Sequence, residues 1–107
     1  MSNTEKRKYA RVRVDMVVAW GSSAECFEMD RITSFSAGGC FLQTARPAGR
    51  GEEVFVKFWV PQERTLRCAV RYQMEGIGLG LEFTDLSEGE RQVLGGLVDD
   101  YRRAFAQ

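Results

Sequence analysis

Hydrophobic and polar residues alternate along the chain in six short stretches. The clearest begins at Val12, where every second residue is apolar up to Trp20 and the charged Arg13 and Asp15 lie between them. Strict alternation is typical of a strand with one buried face. Five further stretches follow at residues 25–35, 40–42, 54–60, 66–74 and 77–83. The pattern therefore predicts six strands separated by turns.

Six short strands favour a small antiparallel β-barrel, because closure removes the exposed strand edges. In the last strand, Gly78 and Gly80 leave one face almost without side chains. This predicts close approach of another backbone or a tightly curved barrel. The large aromatic residues are expected in the core or barrel wall rather than on a base-stacking surface; they are Trp20, Phe58, Trp59 and Phe83.

After Asp85 the apolar period changes to that of a helix. Ser87 and Glu90 match a capping box and precede an apolar stripe formed by Leu94, Leu97, Val98, Tyr101 and Phe105. The spacing predicts a C-terminal α-helix over residues 87–106. Gly95-Gly96 weakens it by ~2 kcal/mol relative to alanines, so the helix is expected to depend on docking or a close packing partner. The stripe suits helix-mediated dimerisation and closure of a barrel end equally well, so both a monomer and a homodimer remain open.

Composition fits one compact domain spanning residues 1–107. The chain is 44% hydrophobic, with 15 cationic and 15 acidic residues and three cysteines that lack CxxC spacing. The cysteines suggest neither a disulfide framework nor a metal site, and they favour a reducing compartment. No apolar run approaches the ~20 residues of a membrane-spanning helix. We therefore expect a cytoplasmic protein with no metal and no membrane insertion.

The absence of histidine narrows the possible functions. The sequence contains none, which removes the usual general base, the usual metal ligand and the usual partner of a nucleophilic serine or cysteine. An enzyme is therefore not expected, and no catalytic residue is assigned.

The neutral net charge conceals an uneven distribution. Residues 5–13 carry five cations and one glutamate, a local charge of +4, whereas residues 82–100 carry six carboxylates and one arginine, a local charge of −5. Twelve of the fifteen cations are arginine, which suits bidentate or stacking recognition of phosphates and bases. The basic segment therefore forms a candidate anion-binding arm over residues 1–11.

Two motifs carry a family resemblance. The first is Arg7-Lys8-Tyr9-Ala10-Arg11, and the second is Ser34-Phe35-Ser36-Ala37-Gly38-Gly39. In this order they resemble the PilZ family, whose pattern is an RxxxR arm followed by [D/N]xSxxG. The glycine-rich sixth strand and the terminal helix extend the resemblance over nearly the whole chain. It implies a PilZ-like six-stranded barrel over residues 12–84 and a receptor for cyclic di-GMP, a bacterial second messenger.

The chemistry of these residues agrees with such a ligand, which presents two phosphates and two guanines. The guanidinium groups of Arg7 and Arg11 can pair with a phosphate or with guanine O6 and N7, or lie flat against a base. Ser36 can bond to a phosphate or base edge, and Gly39 allows close approach of the turn backbone.

Two further positions affect the expected affinity. Ser34 stands where the family pattern has Asp or Asn, and the lost contact costs ~1 to 3 kcal/mol. Lys6 precedes the first arginine, where it would relieve the repulsion among four phosphates if two ligands stack. Ligand binding is therefore expected at Arg7, Arg11, Ser34, Ser36 and Gly39, with Lys6 as an addition.

The leading hypothesis is a stand-alone cyclic di-GMP receptor that signals to an unidentified effector protein as its arm becomes ordered. The alternative is a PilZ-like interaction adaptor that no longer binds nucleotide; Ser34 supports it, and the retained pair Arg7 and Arg11 opposes it. A barrel that binds single-stranded nucleic acid is disfavoured by the neutral charge and the pI of about 6.3.

Overall fold

The computed structural model describes residues 10–59 and 62–105, which form six strands and one helix. The strands close into a barrel in the order β1-β2-β3-β6-β5-β4, and every neighbouring pair is antiparallel. The predicted six-stranded antiparallel barrel with a C-terminal helix is confirmed. The elements are β1 Val12–Gly21, β2 Glu28–Phe35, β3 Gly39–Gln43, β4 Glu53–Phe58, β5 Arg64–Met74, β6 Gly78–Phe83 and α1 Glu88–Phe105.

The antiparallel order gives the barrel two distinct ends. The helix end comprises the β2–β3 turn at residues 36–38 and α1, which begins a few residues after β6. The loop end comprises the β1–β2 loop at residues 22–27, the β3–β4 loop at residues 44–52 and the β5–β6 turn at residues 75–77. Because β2 runs from one end to the other with eight residues, the two ends are separated by roughly 25 Å.

The barrel interior is filled by the apolar residues of the alternating pattern. Phe35, Phe58 and Phe83 form an aromatic cluster with ring centroids 6.1 to 6.2 Å apart. Trp20 is also buried, and its indole N–H donates to an Asp30 carboxylate oxygen at 2.8 Å. Of the four aromatic residues predicted in the core or barrel wall, Trp20, Phe58 and Phe83 are buried in the core.

Trp59 corrects the fourth of these predictions, since 42% of its surface is exposed. The strand β4 ends at Phe58, which already occupies the inward position. The next residue in an alternating pattern faces outward, and Trp59 accordingly lies outside the core.

The helix α1 docks on the barrel through its apolar stripe. Leu94, Leu97 and Val98 are buried in the same cluster as the strand residues. A Cβ on Gly95 or Gly96 would meet nothing within 4 Å among the described residues. The helix thus docks on the barrel through the apolar residues on either side of the two glycines. At the glycines themselves, the described residues supply no close packing partner.

The predicted capping box at the start of α1 is present. The N–H of Ser87 donates to a Glu90 carboxylate oxygen at 2.9 Å, and the N–H of Glu90 donates to the Ser87 hydroxyl at 3.1 Å. Ser87 is therefore the N-cap, and the helix proper begins at Glu88. Asp85, at a φ of 59°, reverses the chain between β6 and the helix.

Aromatic rings cover the glycine face of β6. A Cβ on Gly80 would meet the ring of Tyr72, and one on Gly78 would lie 2.6 Å from the ring of Phe41 as well as against the carbonyl oxygen of Leu42. The two rings stack with centroids 6.3 Å apart. The predicted close approach of backbone therefore applies only in part, because most of the space is taken by side chains from neighbouring strands.

Candidate functional site

The strand register brings the two sequence motifs together. Val12 lies opposite Phe35 and Arg13 opposite Ser34 in the β1–β2 pair, so the residue before β1 meets the end of β2. The guanidinium Nη1 of Arg11 donates to the Ser34 hydroxyl at 3.2 Å, across 23 positions of sequence. Arg11 and Ser34 thus form one site at the helix end of the barrel.

A bulge in β2 sets the direction of the Ser34 side chain. The register against β3 shifts by one residue between Ile32 and Ser34, which leaves Thr33 without an opposite residue. Ile32 and Phe35 are both fully buried, although strict alternation would place residues three apart on opposite faces. Bulges redirect the side chains around them. Ser34 is therefore only half-buried and lies where the exposed Arg11 reaches it.

Ser36 organises the turn that follows β2. Its backbone N–H donates to the Gly39 carbonyl oxygen at 2.9 Å. Its hydroxyl oxygen accepts from the N–H groups of Gly38 and Gly39, each at 3.1 Å. Ser36 is buried, and its hydroxyl already has partners within the turn. The Ser36 side chain, predicted to contact the ligand, therefore shapes the backbone of the turn in this structure.

The glycines of the turn allow it to lie against β6. The Gly38 carbonyl oxygen accepts from the N–H of Phe83 at 2.9 Å, and a Cβ on Gly39 would collide with the carbonyl oxygen of Leu81. Gly39 does not adopt the left-handed backbone conformation. Glycine is needed at position 39 because β6 lies too close to leave room for a side chain. This close packing holds the turn against the barrel.

Electrostatics at the site are dominated by arginine. Burial raises the pKa of the Cys40 thiol to about 12, while the positive charge of Arg11 acts in the opposite direction. Cys40 stays a neutral thiol near neutral pH and adds no negative charge to the site.

One carboxylate stands beside the turn and is paired. Glu82 lies opposite Gly39 in the β3–β6 register, and its carboxylate contacts the guanidinium of Arg71 at 2.5 Å. Arg71 and Glu82 thus neutralise each other, while Arg11 and Arg13 both lie at Ser34. Positive charge beside Ser34 favours an anion there.

Sequence reasoning missed three neighbours of the site. Arg13 is exposed and directly opposite Ser34, while Phe41 lies opposite Ser34 on the other side of β2. Tyr72, which stacks on Phe41, is 44% exposed. The alternating pattern of β1 contained the signal for Arg13, because it placed this residue on the outer face. The aromatic pair depends on pairing between distant strands, which the sequence pattern did not specify.

Lys6 and Arg7 lie outside the described residues, so the structure places only Arg11, Ser34, Ser36 and Gly39 of the predicted set. Within residues 10–59 and 62–105, no group of three or more potential ligand residues is arranged to hold a metal ion. The three cysteines are free and buried. No helix in the same range is long and apolar enough to cross a membrane. The arrangement of arginines, hydroxyls and turn backbone is suited to holding a phosphate-bearing ligand.

A barrel in which the arginine just before β1 meets a serine-glycine turn carries the two motifs of a PilZ-type domain. The sequence model of the PilZ domain matches residues 5–100, and the chain belongs to this family. The resemblance inferred from the two motifs is thereby confirmed. No curated protein matches the chain.

Several solved structures share the fold. The Bacillus subtilis inhibitor of motility MotI (DgrA) is 19% identical with a TM-score of 0.78, over 95% of this chain and 53% of that protein. The PilZ domain of Escherichia coli YcgR with c-di-GMP is 16% identical with a TM-score of 0.69, over 92% and 93% of the two chains. The K. pneumonia MrkH–c-di-GMP complex is 15% identical with a TM-score of 0.69, over 88% and 51%. The chain thus spans about half the length of MotI and MrkH.

Proposed function

We propose that the protein is a cyclic di-GMP receptor whose site is formed by Arg11 and the Ser34–Gly39 turn, together with Arg7 of the preceding arm. The observation that carries this proposal is the hydrogen bond from Arg11 to Ser34, which joins the two motifs into one cationic site. The structures of YcgR and MrkH with c-di-GMP support it, because they share the fold.

The residues of the site have different tasks in this proposal. Arg11 releases Ser34 and pairs with a phosphate or a guanine edge of the ligand, and Arg7 does the same from the arm. Exchanging a neutral hydroxyl acceptor for a phosphate is favourable, because hydrogen bonds between charged groups are stronger. Ser36 and Gly39 hold the turn backbone against the ligand, and Lys6 offsets phosphate repulsion if two ligands stack.

The receptor acts by binding rather than catalysis. The sequence has no histidine, so the usual general base is missing, and burial raises the pKa of the thiols of Cys26 and Cys40, which makes them poor nucleophiles near neutral pH. We propose that the cytoplasmic protein, as a monomer or homodimer, signals to an effector protein when residues 1–11 become ordered on the ligand. The ligand can shift the arm toward its ordered state only as far as it binds that state more tightly than the unordered one.

A second candidate is a PilZ-like adaptor that no longer binds nucleotide. Two observations favour it: Ser34 replaces the Asp or Asn of the family pattern, and the Ser36 hydroxyl is engaged with Gly38 and Gly39. In this case the same surface contacts a protein partner directly.

Isothermal titration of the full chain with cyclic di-GMP separates the two candidates. The receptor predicts saturable binding that is roughly thirtyfold weaker or absent in Arg11→Ala, since a charge-assisted contact of ~2 kcal/mol is lost. Arg50→Ala is the matched control, because Arg50 is an exposed arginine of the loop end. GTP serves as the control for ligand specificity.

The stoichiometry of the titration also tests the role of Lys6. Two ligands per chain, reduced to one in Lys6→Ala, is the result expected of a stacked pair. No binding by the folded wild-type protein would contradict the receptor and favour the adaptor. Equal weakening by Arg11→Ala and Arg50→Ala would mean that the ligand senses general charge instead of this site.

A further inference from the structure

The loop end of the barrel presents the most exposed large hydrophobic side chain of the described residues. Phe27 has 81% of its surface exposed, in the β1–β2 loop. An isolated exposed hydrophobic residue is ordinary. Phe27 is different because it borders a cleft and because the backbone before it is held in an unusual conformation.

Cys26 fixes that backbone. It has a φ of 55°, in the left-handed region that non-glycine residues rarely adopt. Its N–H donates to the Ser23 carbonyl oxygen at 3.1 Å, and its buried thiol donates to the Phe55 carbonyl oxygen at 3.6 Å. Such conformations persist where the surroundings enforce them. The loop thus holds Cys26 inside the fold and displays Phe27 outside.

Beside Phe27 lies a cleft of about 500 Å³ between the β1–β2 and β3–β4 loops. Trp20 and Val54 lie on the barrel side of this cleft, and Pro47 and Ala48 line it from the β3–β4 loop. These residues give the cleft an apolar lining large enough for one or two side chains of a partner.

The charged residues of the cleft are mostly acidic. Glu28, Glu52 and Glu53 line it together with the cation Arg46. Arg46 contacts Glu28 at 2.7 Å and Arg67 of β5 contacts Glu53 at 3.1 Å, so Glu52 is the cleft carboxylate that has no ion pair among the described residues. An anionic ligand such as a nucleotide is therefore repelled, and a cation is attracted.

A neighbouring carboxylate adds to this field. The hydroxyl of Ser23 donates to Glu25 at 2.6 Å and lowers the pKa of its carboxyl group. Glu25 therefore remains negatively charged to lower pH than an ordinary glutamate. The loop end thus combines an apolar cleft with nearby negative charge, and both lie beside Phe27.

We propose that this cleft docks a segment of a partner protein in which an apolar side chain stands next to a lysine or arginine. The apolar side chain packs against Phe27 and the cleft lining, and the cationic group pairs with Glu52. The surface lies at the opposite end of the barrel from Arg11 and Ser34, so the proposal does not depend on nucleotide binding. It provides the protein with a contact for an effector that leaves the candidate nucleotide site free.

The test uses the full chain, immobilised and panned against phage-displayed random dodecapeptides. We expect enriched peptides that combine an apolar residue with an adjacent Lys or Arg. In fluorescence polarisation with an enriched peptide, Phe27→Ala should weaken binding roughly thirtyfold, the loss typical of a central aromatic contact. Trp59→Ala is the matched control, because Trp59 is also an exposed aromatic but lies at the end of β4, away from the cleft.

A second variant tests the charge separately. Glu52→Gln should weaken binding about threefold to tenfold and reduce its dependence on NaCl concentration, since exposed charge pairs are screened by salt. Thermal unfolding verifies that each variant is folded. Three results would overturn the proposal: no consensus among the selected peptides, a consensus that is acidic or lacks a cation, or equal binding by Phe27→Ala and the wild type. Each is distinct from the outcome of the cyclic di-GMP titration.

Discussion

The helix end and the loop end of the barrel are built from different kinds of connection. At the helix end, only residues 36–38 join β2 to β3, and the hydroxyl of Ser36 and the carbonyl of Gly38 fasten them to the neighbouring backbone. At the loop end, residues 22–27 and 44–52 form longer connections that enclose a cleft. The β2–β3 turn is thus short, bonded to the neighbouring backbone and bordered by Arg11 and Arg13, whereas the cleft at the loop end is open and lined by three carboxylates.

This difference fits the two tasks that we propose for the barrel. A ligand with phosphates needs positive charge and a backbone held at a fixed distance, and the helix end supplies both. A protein segment needs apolar surface and space, and the loop end supplies those. Because eight residues of β2 connect the two ends, a change at one end can leave the other unaltered.

The largest expected effect breaks the rigid end. Gly39→Ala places a Cβ against the carbonyl oxygen of Leu81, and a backbone atom in a closed sheet cannot move aside. We expect the free energy of unfolding to fall by about 3 kcal/mol, measured by urea denaturation. Gly49→Ala is the control at the loop end, where the nearest atom would lie at an ordinary 3.7 Å. Similar losses in both variants would contradict the contrast between the ends.

Ser36→Ala tests whether the hydroxyl organises the turn. It leaves the part-buried N–H of Gly38 and the buried N–H of Gly39 without their acceptor, and the free energy of unfolding should fall by ~2 kcal/mol. The same urea titration applied to Ser22→Ala, in the exposed β1–β2 loop, should give a change within ~0.5 kcal/mol. If Ser36→Ala proves as mild as its control, the hydroxyl is available for direct ligand contact instead.

Ser34→Asp sharpens the comparison by restoring the residue type of the family pattern. A carboxylate offers a guanine edge two acceptors where serine offers one hydroxyl, so cyclic di-GMP should bind roughly tenfold tighter, or ~1.4 kcal/mol. Isothermal titration measures the change. Ser34→Ala is the matched comparison, with weaker binding than the wild type. Tighter binding by the alanine variant would show that the hydroxyl opposes the ligand by retaining Arg11.

The smallest expected effect concerns the helix. Gly96→Ala adds a methyl group where nothing lies within 4 Å among the described residues, so only helix propensity changes. Thermal and urea unfolding should show a gain of about 1 kcal/mol. Leu97→Ala, on the docked face, should lose stability instead. A loss in Gly96→Ala would mean that another surface packs closely against this side of the helix.

The sequence was sufficient for features that depend on near neighbours. Alternation from Val12 located β1, and the spacing of Ser87 and Glu90 located the start of the helix, because both patterns are complete within a few residues. Trp59 is not in the core, and the alternation of Val54, Val56 and Phe58 already placed it on the outer face. The prediction that Lys6 and Arg7 bind the ligand falls on residues outside the described range and stays a prediction.

Features that depend on distant residues were accessible only in the structure. The family pattern identified Arg11 and Ser34, but their contact requires the β1–β2 register and the bulge at Thr33. Gly39 was predicted to matter because glycine lets the turn backbone approach a ligand. In the structure, glycine is needed there because a Cβ would collide with the carbonyl oxygen of Leu81 on β6. Single-residue periodicity contains no information about which strand lies beside which, and these roles could not be derived from it.

Closure of the sheet has a consequence for signalling. Each of the six strands has a hydrogen-bonded neighbour on both sides, and the unpaired edge is confined mainly to the first part of β1, which pairs with β4 only over residues 19–21. Little edge is therefore left for β-augmentation, and most of the exposed surface consists of side chains, loops and the helix, which can change without altering the barrel. Under the proposed function, a PilZ domain of this form can acquire a different effector by surface substitution alone, while its interior remains the same.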